Sequence, residues 1–120
     1  MSGVRRLDFD SADESRTPAK TRVDLVRVGN TTVGRFAFEP GWRWSVCIKP
    51  VVGTERCEAR HVGIVSSGSM HVVHDDGTEA DLEAGDAYVI EPGHDAWVTS
   101  SDPLVAFEFE SRAAEEYARE

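Results

Sequence analysis

Cys57 and His61, four residues apart in the stretch TERCEARHVG, carry two of the side chains that ligate metals. Their spacing is too loose for a zinc-finger knuckle. In a helix they sit one turn apart. In a strand they share a face, because side chains alternate with period two. Either element brings a thiol and an imidazole to one side. Each residue also has an ordinary use: a buried cysteine packs as a small hydrophobe, and a lone interior histidine is often only hydrogen-bonded. With only Cys47 and Cys57 in the chain, free thiols, or one thiol acting as a ligand, are expected rather than a disulfide.

The elements that must position this pair read as short strands. RVDLVRV alternates apolar and polar residues, and TTVGRFAFEP does so again with Val33, Phe36 and Phe38 as candidate core. GWRWSVCIKP, read as a strand, puts Trp42, Trp44, Val46 and Ile48 on one face and Arg43, Ser45, Cys47 and Lys49 on the other. CEARHVGIVSSG is the next strand. A hairpin follows, Met70 to His74 and Glu79 to Leu82, closed by Asp76-Gly77. AYVIEPGHDAWVTS is a strand interrupted at Pro92-Gly93, and PLVAFEFES places Val105, Phe107 and Phe109 on one face. RAAEEYARE is a short C-terminal helix with Ser111 as a candidate N-cap. Residues 1–20 are polar and without periodicity and read as a mobile N-terminal arm. Residues 21–120 read as one all-β domain, a sandwich or small barrel.

Composition narrows the partners. A chain of 120 residues with 40% hydrophobic content can bury one core unaided. A formal charge of −9 argues against nucleic acid and anionic membrane surfaces, which need basic faces. No apolar run is long enough to span a bilayer, and the first residues lack the apolar stretch of a secretory signal, so a cytoplasmic location is expected. His71 and His74 have opposite parity on the hairpin and read as surface residues. Asp75-Asp76-Gly77 lacks the further oxygen ligands of a calcium loop and reads as a turn. Trp42, Trp44 and Trp97 are candidates to line a ligand pocket, or else ordinary core.

The run GSMHVVHDDGTEADLEAGDAYVIEPGHDAW resembles the second half of a jelly roll of the cupin superfamily, in its single-domain bacterial form. Gly85 and Gly93 fit the glycines of the second cupin motif. Glu91 stands at its first proline position with Pro92 following, and its histidine position falls on Ala96, two residues after His94. With Gly68 as the last glycine of the first motif, that motif's glutamate falls on His61 and its two histidines on Glu55 and Cys57. The resemblance implies a cupin jelly-roll β-barrel in which Glu55, Cys57 and His61 point inward and His94 faces the cavity. This mixed oxygen, sulfur and nitrogen set implies one divalent metal, with zinc favoured over iron or copper.

Two functions follow from that resemblance. One is a small-molecule-binding cupin with a His/Cys-held metal, possessing, if it is an enzyme, lyase, isomerase or hydrolase activity on a small polar metabolite, with Glu55 or Glu91 as general base. The other is a metal-free ligand-binding or sensing cupin without catalytic activity. A homodimer is expected in either case, because a monomer would leave an edge strand exposed.

Overall fold

The computed structural model describes residues 3–109. A 3-10 turn at Phe9–Ser11 precedes strands β1 (Glu14–Arg16), β2 (Thr21–Val28) and β3 (Thr31–Phe38). Two helical turns, α1 (Trp44–Cys47) and α2 (Lys49–Val52), lead to β4 (His61–Ser67), β5 (Ser69–His74), β6 (Glu79–Glu83), β7 (Ala87–Ile90), β8 (His94–Val98) and β9 (Leu104–Phe109). The strands form two antiparallel sheets, ordered β1-β2-β3-β9-β4-β7 and β6-β5-β8, in a jelly-roll arrangement. The expected C-terminal helix lies outside the described residues.

Alternation accounts for the inner faces. Val23 and Leu25 of β2, Phe36 and Phe38 of β3, Val65 of β4, Met70 and Val72 of β5 and Leu104 and Ala106 of β9 are all buried in one core. Removing side chains of the size of Val, Leu or Phe from water contributes about 1.5–3 kcal/mol each. The hairpin turns at Asp76-Gly77, where Gly77 takes φ 94°, a left-handed conformation that an L side chain resists. In β9 the residues Val105, Phe107 and Phe109 do share a face, but it is the outer one. The inner face carries Leu104, Ala106 and Glu108. Val33 is only half-buried, on the opposite parity from Phe36 and Phe38.

One stretch departs from the strand reading. GWRWSVCIKP is not a strand, because Trp44, Cys47 and Ile48 are buried at the i, i+3, i+4 spacing of a helical turn. Cys47 therefore lies with the tryptophans and not opposite them, while Val46 is exposed. Arg43 and Lys49 point outward, to Asp95 and Glu55. The segment read as an arm carries the 3-10 turn and the short strand β1. Ser15 pairs with Asp24 in the β1–β2 register, and its hydroxyl donates to the buried Asp24 carboxylate at 2.6 Å. Arg22 and Arg35 donate to the same carboxylate at 3.0 and 2.9 Å. Phe9 packs on Phe107 with ring centroids 5.5 Å apart. What ties β1 and the 3-10 turn down is thus polar pairing and one aromatic contact, neither of which has a period. The edges of the larger sheet are β1 and β7, three and four residues long, and short edge strands offer little template for pairing.

Candidate metal centre

Cys57 lies just before β4, tied to β8 by its backbone. Its N–H donates to the His94 carbonyl at 2.9 Å, and its carbonyl accepts from the Gly93 N–H at 2.7 Å. This bridge sets Cys57 beside His94, the first residue of β8. His61 opens β4, and Ala59, wholly buried, lies between it and Cys57 on the same inward parity. One ligand atom each from Cys57, His61 and His94 lies within 4.8 Å of the others, and all three side chains are buried. Cys57 Sγ is 3.4 Å from His61 Nε2. The two imidazoles meet edge to face, with centroids 5.0 Å apart.

The hydrogen bonds fix which nitrogens are available. His61 Nδ1 lies 2.9 and 3.0 Å from the two oxygens of Glu108. An ionised carboxylate only accepts, so Nδ1 carries the hydrogen and Nε2 turns to the thiol. His94 Nδ1 lies 2.8 Å from the Glu91 carbonyl oxygen, which also only accepts, so its Nε2 is left as the free lone pair. Glu108 takes a further hydrogen bond from the Tyr88 hydroxyl at 2.8 Å.

Gly63 makes this possible. It pairs with Tyr88 on β7 and with Glu108 on β9, so the three occupy one row across the sheet. A Cβ at Gly63 would stand 2.3 Å from the Phe107 carbonyl oxygen, 2.9 Å from the Tyr88 hydroxyl and 3.0 Å from Glu108 Cγ. The glycine is the gap through which tyrosine and glutamate meet.

Burial and charge drive the two imidazoles apart. Burial disfavours a charged His61, but the Glu108 carboxylate and the Cys57 sulfur outweigh it and raise its pKa to about 10, so that His61 without an ion is an imidazolium whose Nε2 proton a metal would have to displace. Burial, then the neighbouring His61, pushes His94 down to about 4, which keeps its lone pair free. Burial, followed by Glu108, holds the Tyr88 phenol well above its ordinary range, so it stays a donor.

Of the residues singled out in the sequence, Cys57, His61 and His94 come together. Glu55 does not: its side chain is 89% exposed and accepts from Lys49 at 2.9 Å, because the chain at that point is still on the surface after α2. Glu91 is likewise on the surface, paired with Arg60. Neither is placed to act as a base at the cluster. Trp42 and Trp44 line the interior cavity with His61, His94 and Glu108, but Trp97 lies outside the barrel, with the Arg43 guanidinium 4.2 Å from its ring centroid. That cavity measures about 20 Å³, room for one water-sized group. A groove of about 250 Å³ runs along its outside between the β5–β6 hairpin and β7, and Tyr88 and Ile90 line both spaces. Glu108 was missed by the sequence reading. Its signal was there: a charged residue between Phe107 and Phe109, at the parity of Leu104 and Ala106.

No family model matches the chain, and no curated protein does. Solved structures do match. The polyketide cyclase RemF from Streptomyces resistomycificus superposes with a TM-score of 0.62 at 16% identity, over 88% of this chain and 78% of that one. An uncharacterised conserved protein with a double-stranded beta-helix domain, from Klebsiella pneumoniae, matches with a TM-score of 0.57 at 17% identity, over 88% of each chain. The fold is a cupin jelly roll. An oxalate decarboxylase from Lactobacillus farciminis matches 78% of this chain with a TM-score of 0.54 at 16% identity, and this cupin barrel spans only 30% of its length. Identities this low speak to fold alone. The chemistry has to come from the cluster: a buried cupin-barrel site of one thiol and two imidazoles that suits a metal or a small molecule. No helix among the described residues is long and apolar enough to cross a membrane.

Proposed function

We propose that this cupin holds one divalent ion, zinc by preference, on Cys57 Sγ, His61 Nε2 and His94 Nε2, and that it binds a small polar molecule there. The observation that carries this reading is the pair of Nδ1 bonds. Both imidazoles are locked by an oxygen on one nitrogen, which is how proteins orient histidine ligands and raise their basicity. Distance supports it as well. Zinc–sulfur and zinc–nitrogen bonds of about 2.3 and 2.0 Å at a tetrahedral angle put the two ligand atoms about 3.5 Å apart, and Sγ and His61 Nε2 are 3.4 Å apart. Charge balances too, since a thiolate and the Glu108 carboxylate together offset a divalent ion.

Three protein ligands leave one position open, and an ion so held supplies Lewis acidity towards a carbonyl or a water. The chain supplies the rest. Glu108 and Tyr88 hold His61, the apolar barrel wall excludes bulk water, and the outer groove, which shares Tyr88 and Ile90 with the cavity, is of a size for a small metabolite. A metal-free binding module is the second reading. It is favoured by the chain Cys57–His61–Glu108–Tyr88, whose hydrogen bonds close without an ion.

Elemental analysis of untagged protein, beside His61→Ala, tests the choice. About one ion per chain that disappears in the variant is expected. Wild-type protein without metal, even after refilling with zinc, iron, manganese or nickel, overturns the metal reading in favour of the second.

A further inference from the structure

The three tryptophan indoles differ in what their N–H groups meet. Trp42 Nε1 donates to Thr21 Oγ1 at 2.9 Å while its ring stacks on Phe38 at 3.9 Å. Trp97 lies on the outer face of the smaller sheet, beneath Arg43 and beside His71. Trp44 is 1% exposed and lines the interior cavity, and its Nε1–H is the buried side-chain donor without a protein acceptor among the described residues. An indole N–H can only donate. Burying it without an acceptor costs about 1–3 kcal/mol, and native interiors rarely leave such a group unpaired.

We infer that Trp44 is a recognition residue of this site, whose indole N–H donates to an oxygen of the bound molecule. The inference rests on the proposed metal only for the ligand's second contact. Three features of the cavity define the ligand. It is small, about 20 Å³, so one end of a molecule enters and not the whole. Its walls beside Trp44 are mostly apolar, with Phe36, Phe38, Met70 and Leu104, so the polar contacts are few and selective. Its remaining polar residues are His61, His94, Glu108 and Tyr88. Of these, Glu108 and Tyr88 bond each other, and Glu108 also bonds His61. The chemistry that suits a lone donor lining one small cavity with His61 and His94 is an sp² oxygen, a carbonyl or one oxygen of a carboxylate. One lone pair would take the N–H and leave the other for an ion that Cys57, His61 and His94 would hold. Because the thiolate and the Glu108 carboxylate already offset a divalent ion, the neutral carbonyl is the better fit of the two. An ammonium end, the form of an aliphatic amine at neutral pH, has no acceptor and gains nothing from Trp44.

The test reads the indoles directly. Tryptophan labelled with ¹⁵N gives one N–H signal per indole, and Trp44→Phe identifies Trp44 by loss. Should that variant fail to fold, Trp42→Phe and Trp97→Phe identify it by elimination. Formamide, formate and methylamine are each titrated into the zinc-loaded and metal-free wild type. We expect formamide to move the Trp44 signal saturably, with formate acting at higher concentration and methylamine not at all, while the Trp42 and Trp97 signals stay fixed. Trp44→Phe should weaken formamide binding about tenfold, the size of one hydrogen bond. A response to formate alone still supports the indole contact and assigns the oxygen to a carboxylate. A Trp44 signal that neither oxygen ligand moves, in either form of the protein, overturns the inference. Metal content, measured on the same samples, tells that failure apart from failure of the metal reading: protein that takes up no zinc but shows a moving Trp44 signal keeps the contact and loses the ion.

Discussion

His61 and His71 are both raised histidines beside carboxylates, yet the fold uses them differently. His71 Nδ1 lies 2.7 Å from Asp81 and its Nε2 lies 3.0 Å from Glu79, on the outer face of the smaller sheet. Two acceptors require two N–H groups, so His71 is an imidazolium, raised first by the Asp81 hydrogen bond. Neither nitrogen is left for any other task. His61 has one carboxylate, Glu108, and its second nitrogen meets the Cys57 thiol, with the His94 ring 5.0 Å away, in the interior. A carboxylate next to a histidine therefore does not mark a site. What the second nitrogen meets does: a further carboxylate at His71, but at His61 a thiol, where a metal would displace the proton between them.

The largest expected break in this contrast comes from a residue with no side chain. Gly63→Ala puts a methyl group 2.3 Å from a backbone oxygen on β9, where relief requires the strands to part. We expect a loss of about 3 kcal/mol in urea unfolding, the upper end of overpacking costs. Metal uptake should fall with it, because Glu108 loses its place against His61. The surface cluster has no equivalent constraint, and Asp81→Ala should stay within about 0.5 kcal/mol of wild type. Near-native stability of Gly63→Ala would mean that β4 and β9 are less closely registered than the pairing of Gly63 with Glu108 requires.

The next step down separates the two carboxylates. Glu108→Gln keeps the shape but offers His61 Nδ1 a neutral partner whose amide can point either way. Loss of such an orienting partner costs about 10–100-fold in metal affinity. Asp81→Asn on the surface should leave that affinity unchanged. Zinc competition against a chromogenic chelator reads both variants. Equal affinities in Glu108→Gln and wild type would show that His61 is held by packing rather than by the carboxylate.

This contrast also shows what the sequence could carry. The hairpin at Asp76-Gly77 and the bend at Pro92-Gly93 were legible, because each rests on local turn chemistry. Glu55 shared the parity of Cys57 but not its environment. Parity holds only where the backbone is extended and paired: Cys57 keeps it through its bridge to His94, whereas Glu55 lies in a bend. Trp44, Cys47 and Ile48 fit a helical turn as well as a strand over so short a stretch. Glu108 needed knowledge of which face of β9 is inner, and the outward phenylalanines argued for the wrong one. Its partnership with His61 joins residues 47 apart, and only the placement of β4 against β9 reveals it.

The smallest effect is the most direct check on the surface half of the comparison. The folded pKa of His71 is raised above the ordinary 6.5, so its pairing stabilises the protein in full below that value. The contribution then fades as pH rises through the raised value, since the unfolded chain has already lost its proton. His71→Gln should therefore be less stable than wild type by under about 1 kcal/mol in acid, as for exposed ion pairs. The two should converge as the medium becomes alkaline, in urea unfolding followed across that range. A gap that widened with pH would mean that His71 is neutral when folded, which its two carboxylate partners do not permit. Metal content should be the same in both proteins at every pH, because no nitrogen of His71 is available to an ion.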